Sequence, residues 1–251
     1  MISLSAADRL PLESSQRGKC LLRGECDQTE NVVGEVAIPC VDRHDPHYLD
    51  DREIRDTFKN LCPEFSDDPL VCCTAEQIDE LKQSMDMPQQ LGLSRCPSCD
   101  FNWRLNFCQM ACSPNQSDFL QITESSETDD GRQKVDSVNY HVTSAYADQM
   151  YASCSDVRSA ISDQPLLDFM CGSHGSANCS GPKWLEFLGT SVDNGGQSPY
   201  HINYVFHDTS DEQTINGHRV KPMNAKTSRC NEIAPGADKA CSCVDCKLSC
   251  I

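Results

Sequence analysis

Apolar residues recur along this chain with two periods. In "DREIRDTFKNLC" (51–62), Ile54, Phe58 and Leu61 fall at i, i+4 and i+7, which predicts a short amphipathic helix. In "LVCCTAEQIDELKQSM" (70–85), Ile78, Leu81 and Met85 share one face of a second helix, and Pro88 follows its expected end. Thr74 fits the N-cap of that helix, and Gln77, three residues on, completes a capping-box pattern. A third helix, within "CDFNWRLNFCQMAC" (99–112), carries Phe101, Leu105, Cys108 and Cys112 on one stripe. "NYHVTSAYADQMYASCSDVRSAI" (139–161) reads as the longest helix, with Val142, Tyr146, Met150, Cys154, Val157 and Ile161 near one face. The period drops to two in "SPYHINYVF" (198–206), where Tyr200, Ile202, Tyr204 and Phe206 alternate with other positions; this predicts a strand.

Between these elements the pattern is weaker. Residues 1–19 are polar and read as a flexible segment. From Cys20 to Cys73 the chain reads as loop-rich, apart from the first helix. "ESSETDDGR" (124–132) reads as an acidic hairpin tip or loop. Residues 164–188 predict a small disulfide loop followed by a short helix, and the tail "CSCVDCKLSC" is too cysteine-dense for regular structure. No internal repeat is visible, and the cysteines are spread evenly. The pattern therefore describes a single domain over 20–250 behind the segment 1–19.

Composition changes this picture in one respect above all. The chain has 251 residues and 18 cysteines, an even number. Such a load belongs to an oxidising lumen or the outside of the cell. Eighteen cysteines allow roughly 30 million pairings, so counting does not give the connectivity. Cys72 and Cys73 are adjacent, and disulfide geometry disfavours a bond between neighbours, so each is expected to reach a different partner. The net charge of −17 argues against nucleic acid and against an anionic membrane surface as partners. No run of apolar residues is long enough to cross a bilayer, and the start lacks the apolar core of a signal peptide. A disulfide-rich protein must still be exported, so the sequence reads as a mature fragment of something longer.

The candidate chemistry is sparse. "CPSC" (96–99) and "CVDC" (243–246) have zinc-ribbon spacing, but in a set of 18 they read as half-cystines rather than metal ligands. Nucleophile-elbow, zincin, P-loop and dinucleotide signatures are absent, so no enzyme is expected, and no cofactor. His44 and His47 lie in a polar stretch and read as solvated. Asn115 ("NQS") and Asn178 ("NCS") are candidate glycan acceptors. Apolar residues stand beside cysteines: Phe107 precedes Cys108, and Phe169 and Met170 precede Cys171. Tyr200 and Ile202 follow a Gly-Gly-Gln-Ser-Pro turn. They are either ordinary core or, in a domain already stapled, the lining of a ligand pocket.

Together, "SRCPSC", "FC…CSPNQSDFL", "GQSPY", "PMN" and "CSCVDC" resemble the luminal N-terminal domain of the Niemann–Pick type C1 family, over Cys20 to Cys250. The resemblance implies an α+β fold, with helices packed beside a small mixed sheet around a deep apolar pocket for one sterol. It implies the pairs Cys20–Cys72, Cys26–Cys40, Cys62–Cys108, Cys73–Cys112, Cys96–Cys241, Cys99–Cys154, Cys171–Cys179, Cys230–Cys246 and Cys243–Cys250. By the same resemblance, Gln77 contacts the sterol 3β-hydroxyl and Glu25 is a second polar position at the closed end. Leu81, Phe107, Pro199, Tyr200 and Ile202 are wall contacts, Leu22 stands where the family can have tryptophan, and Phe169 and Met170 stand at the mouth. Pro39 replaces a family asparagine, which removes one polar partner of the hydroxyl. The implied partners are a sterol, a soluble Niemann–Pick type C2 carrier that delivers it, and the membrane portion of a parent protein. The implied location is the lumen of late endosomes or lysosomes, or an absorptive cell surface; a monomer is expected. The rival from another class is an extracellular cysteine-rich module that binds protein and holds no lipid.

Overall fold

The computed structural model describes residues 18–250 apart from positions 33, 66 and 68. The flexible segment expected over 1–19 therefore lies outside the described residues, except for its last two. Lys19 is already tied in: Ser117 N donates to its carbonyl at 3.1 Å.

In chain order the elements begin with β1 (Leu22–Asn31), β2 (Gly34–Val41), β3 (His47–Tyr48), α1 (Arg52–Leu61), β4 (Leu70–Val71), α2 (Ala75–Leu91) and α3 (Pro97–Cys112). They continue with α4 (Gln116–Phe119), β5 (Leu120–Glu127), β6 (Gln133–Thr143), α5 (Ser144–Cys154), α6 (Leu167–Met170), α7 (Gly175–Asn178) and α8 (Gly181–Leu188). Last come β7 (His201–His207), β8 (Gln213–Ile215) and β9 (His218–Val220). The architecture is α+β: helices beside one five-stranded mixed sheet, with two small ribbons, β3–β4 and β8–β9.

The sheet is two hairpins and a late strand. β1 pairs antiparallel with β2, and β5 with β6. β2 meets β6 only at Cys40–Lys134, which leaves Ser137–Thr143 free to pair with β7 in parallel. One face of this strand pair enters the core through Val138, Tyr140, Val142, Ile202 and Tyr204. Against it lie α3 and α5, whose buried Leu105, Cys108, Tyr146 and Met150 belong to the same cluster. Gly189, at the end of α8, lets that helix touch β7: a β-carbon there would meet Ile202 O at 2.0 Å, where Ile202 N instead donates to Gly189 O at 2.9 Å.

All 18 cysteines are bridged, in the same nine pairs that the resemblance implies. Cys96, Cys99, Cys243 and Cys246 each join a different partner, so neither C-x₂-C motif offers thiolates to a metal. No helix among the described residues is long and apolar enough to cross a membrane.

Several expectations need correction. The loop-rich reading of Cys20–Cys73 missed the β1–β2 hairpin, because β1 is mostly polar and buries only Leu22 and Cys26, and so lacks an apolar alternation. α2 does not stop before Pro88 but carries it and ends at Leu91, where Gly92 adopts a φ of 135°. The longest helix is α2, not the segment 139–161. Residues 139–143 finish β6, and Thr143 caps a helix that covers only Ser144–Cys154. Tyr140 and Val142 suit a strand as well as a helix face, so the apolar spacing alone misled; Ile161, on the supposed face, is 78% exposed. The acidic segment divides: 124–127 finish β5, and 128–132 form the hairpin tip that joins it to β6.

Candidate ligand-binding site

The start of α2 is fixed at two adjacent points. Cys72 bridges to Cys20, ahead of β1, and Cys73 bridges to Cys112, at the end of α3. Cys72 N also donates to Cys112 O at 3.0 Å. One residue later Thr74 caps the helix, and its side chain accepts from Gln77 N at 3.3 Å.

Gln77 does two things with one atom. Its Oε1 accepts from Thr74 N at 3.1 Å, which closes the capping box, and from Gly24 N at 2.8 Å. Two backbone donors on one oxygen fix which way the amide faces. The NH₂ group is thereby left over, and no hydrogen bond of the described residues uses it.

Gly24 sits in an irregularity of β1. The register passes from Arg23–Cys40 to Asp27–Ile38, so Gly24, Glu25 and Cys26 stand opposite the single residue Pro39. Gly24 has a φ of +63°, a conformation open to glycine and costly for most others. Pro39 has no N–H to give, and a bulge is one of the places where a strand tolerates it. Pro39 is buried, and the Cys26–Cys40 bridge closes over this stretch. The Glu25 carboxylate is exposed and accepts from Gln28 Nε2 at 2.7 Å. Glu80, one turn beyond Gln77, has its pKa raised by burial and then by the charges of Glu25 and Glu76.

The apolar residues singled out in the sequence fall into groups. Leu22, Leu81, Met170, Tyr200 and Ile202 are buried members of one core cluster, and Phe107 packs against it. The Phe107 ring lies 5.1 Å from Trp103, which in turn lies 5.7 Å from Trp184. Trp103 Nε1 reaches Met85 Sδ on α2 at 3.1 Å. Pro199 is half-buried. Phe169 stands apart at 49% exposed, while its neighbour Met170 is buried. Asn115 and Asn178 are both exposed. His44 is exposed and pairs with Asp42, but His47 is half-buried in β3 rather than solvated, and burial lowers its pKa.

Sequence reasoning missed two groups. One is the Gly24 bulge, for which a glycine within a polar run was the available signal. The other is a set of buried polar side chains around α3. Asn106 Nδ2 donates to Tyr204 Oη at 2.8 Å, and Tyr140 Oη donates to Asn106 O at 3.3 Å. Tyr140, Tyr146, Tyr200 and Tyr204 have pKa values pushed up by burial, so all four stay neutral. The spacing put Tyr146, Tyr200 and Tyr204 on apolar faces and passed over Tyr140, and nothing in it marked their hydroxyls.

The described residues thus form a nine-bridge α+β domain in which a doubly bridged, capped helix start meets a strand bulge beside an apolar core. The family described as Niemann-Pick C1 N terminus matches residues 17–251. The chain belongs to that family. It is 34% identical over 201 residues to "NPC intracellular cholesterol transporter 1" of Sus scrofa, covering 78% of the chain and 15% of that protein. It is 31% identical over 243 residues to "NPC1-like intracellular cholesterol transporter 1" of Homo sapiens, covering 94% of the chain and 17% of that protein. With "NPC intracellular cholesterol transporter 1 homolog 1" of Caenorhabditis elegans it shares 30% over 251 residues, covering 90% of the chain and 17% of that protein. The chain thus spans about a sixth of the length of the curated relatives it matches.

Proposed function

We propose that this domain binds one sterol, cholesterol or a close analogue, with the 3β-hydroxyl held at Gln77, and passes it on in sterol transport. The observation that carries the reading is the family match across 17–251. The geometry of Gln77 supports its finer part. The cap and the bulge occupy Oε1, and the NH₂ group remains to donate to a hydroxyl oxygen. The two roles that one glutamine has to play are thereby divided between its two polar atoms.

Leu22, Leu81, Phe107, Pro199, Tyr200 and Ile202 form the wall around the rings, and Phe169 and Met170 the mouth. Glu25 borders the polar end through its place in the bulge. Pro39 gives the hydroxyl nothing, so Gln77 carries more of the recognition here than a glutamine with an asparagine beside it. A sterol has about 28 heavy atoms, and about 0.3 kcal/mol per atom places the affinity near micromolar, a range suited to handover. A soluble Niemann–Pick type C2 carrier delivers the sterol at the mouth, and the membrane portion of a longer protein receives it. The domain faces the lumen of late endosomes or lysosomes, or an absorptive surface, carries glycans at Asn115 and Asn178, works as a monomer and catalyses no reaction.

The test is twofold. Solvent extracts of the purified domain should contain sterol, whereas a plain protein-binding module would carry none. In competition against labelled cholesterol, 3-deoxycholesterol should compete about 5- to 30-fold more weakly, the worth of one buried hydrogen bond. Cholesterol sulfate should not compete, because a charge at that oxygen would be buried unpaired. Equal competition by the sulfate would place the other end of the sterol at Gln77.

A further inference from the structure

The bulge that meets Gln77 is also held from its far side. Arg132 follows the β5–β6 turn. Its Nη1 donates to Glu25 O, and its Nη2 reaches Cys26 O at 3.4 Å. The guanidinium is itself fixed, because Nε donates to Asp130 Oδ2 at 2.7 Å. Its backbone is fixed too, since Arg132 N donates to Thr128 Oγ1 at 3.1 Å. A planar fork with donors in set directions can hold two successive carbonyls, which a lysine ammonium does less well. The remaining bulge residue, Gly24, gives its N–H to Gln77 Oε1 at 2.8 Å. Three residues are thus clamped between a hairpin tip and a helix start.

The overall fold has little need of this clamp. The Cys26–Cys40 bridge already ties the two strands, and the Arg132 side chain is half exposed. What the clamp does determine is the direction of the Gly24 N–H, and through it the direction of the Gln77 amide. We propose that Arg132 is a positioning residue for hydroxyl recognition, acting through the bulge on Gln77. The proposal rests on the sterol-binding reading above.

The test uses Arg132→Ala, Arg132→Lys and Lys134→Ala, each titrated with cholesterol and with 3-deoxycholesterol. Lys134 is the control: it stands two residues on, in β6, and pairs with Asp27 at 2.6 Å, beyond the three clamped residues. Arg132→Ala should lower cholesterol affinity about 3- to 10-fold and leave 3-deoxycholesterol affinity unchanged, because only the hydroxyl uses Gln77. Arg132→Lys, the milder change, should recover part of that loss, and Lys134→Ala should bind both ligands as the unaltered domain does. Equal losses for both ligands, an unchanged ratio, or the same loss in Lys134→Ala would overturn the role of Arg132 alone. An unaltered domain that binds no cholesterol would overturn the sterol reading, and one that binds cholesterol and its deoxy analogue equally would overturn the hydroxyl placement; either takes this inference with it.

Discussion

At the Gln77 end, disulfides, a capping box and a strand bulge converge on a few residues. At the Phe169 end, the backbone passes through α6, a single 3₁₀ turn over Gly172–His174, and α7, each three or four residues long. The first end is tied to distant parts of the chain, through Cys20–Cys72 and Cys73–Cys112, with separations of 52 and 39 residues. The second is closed by Cys171–Cys179, only 8 apart, and by Asp168, which accepts from Ser176 N at 2.8 Å. Long-range ties remove more freedom from the unfolded chain and brace the native one; a small local ring does neither to the same degree. The contrast suits the proposed site, with its closed end at Gln77 set before a ligand arrives and its mouth at Phe169 able to yield.

The largest test of that contrast is to remove one bridge at each end. Cys73→Ser with Cys112→Ser should cost about 2–5 kcal/mol of stability, and Cys171→Ser with Cys179→Ser roughly 1.4 kcal/mol less, from loop length alone. Urea denaturation of both pairs measures this. A costlier loss at Cys171–Cys179 would make the mouth the braced end.

A comparable effect is expected from pH. Glu64, packed near Gln109 on α3, has its pKa pushed up to about 7 by burial. Its folded form holds the proton more tightly than the unfolded chain, so it subtracts stability as pH rises from about 4.5 to about 7. At pH 8 the full penalty is about 3 kcal/mol. His141 runs the other way. Burial, then the nearby His207, lowers its pKa to about 4 from 6.5. Its stabilisation is complete above pH 6.5 and is lost as pH falls toward 4. Glu64→Gln should therefore raise the melting temperature at pH 8 and leave it nearly unchanged at pH 4. A gain of equal size at both pH values would remove Glu64 as the cause.

The smallest effect is expected at the proposed mouth. Phe169 is 49% exposed, so Phe169→Ala should change stability by less than about 0.5 kcal/mol. It should nonetheless raise the rate of sterol release about twofold, as read by exchange of a fluorescent sterol. An unaltered release rate would place the mouth elsewhere.

How much of this was legible depends on what each feature rests on. The Thr74–Gln77 capping box was readable because it is local: an N-cap and the third residue after it meet by helix geometry alone. The strand β7 (His201–His207) was readable because Ile202 and Tyr204 on its inner face are buried and its pattern alternates. The β1–β2 hairpin was not, since β1 is polar over most of its length and its bulge breaks the alternation of inward and outward positions. Residues 139–143 deceived because aromatic and β-branched residues satisfy both periods over so short a run. The bond from Gly24 to Gln77 joins positions 53 apart, and no local pattern encodes it. The disulfide pairing could be had only through resemblance.

The most direct measurement is cholesterol titration of folded Gln77→Ala beside Thr74→Ala. Both changes break the capping box, but only the first removes the NH₂ group left over for the sterol. Thr74→Ala should lower the melting temperature and keep its affinity. Gln77→Ala should lose about 1–2 kcal/mol of binding, about 5- to 30-fold. Unchanged affinity in Gln77→Ala, or an equal loss in both, would contradict the placement of the hydroxyl at Gln77.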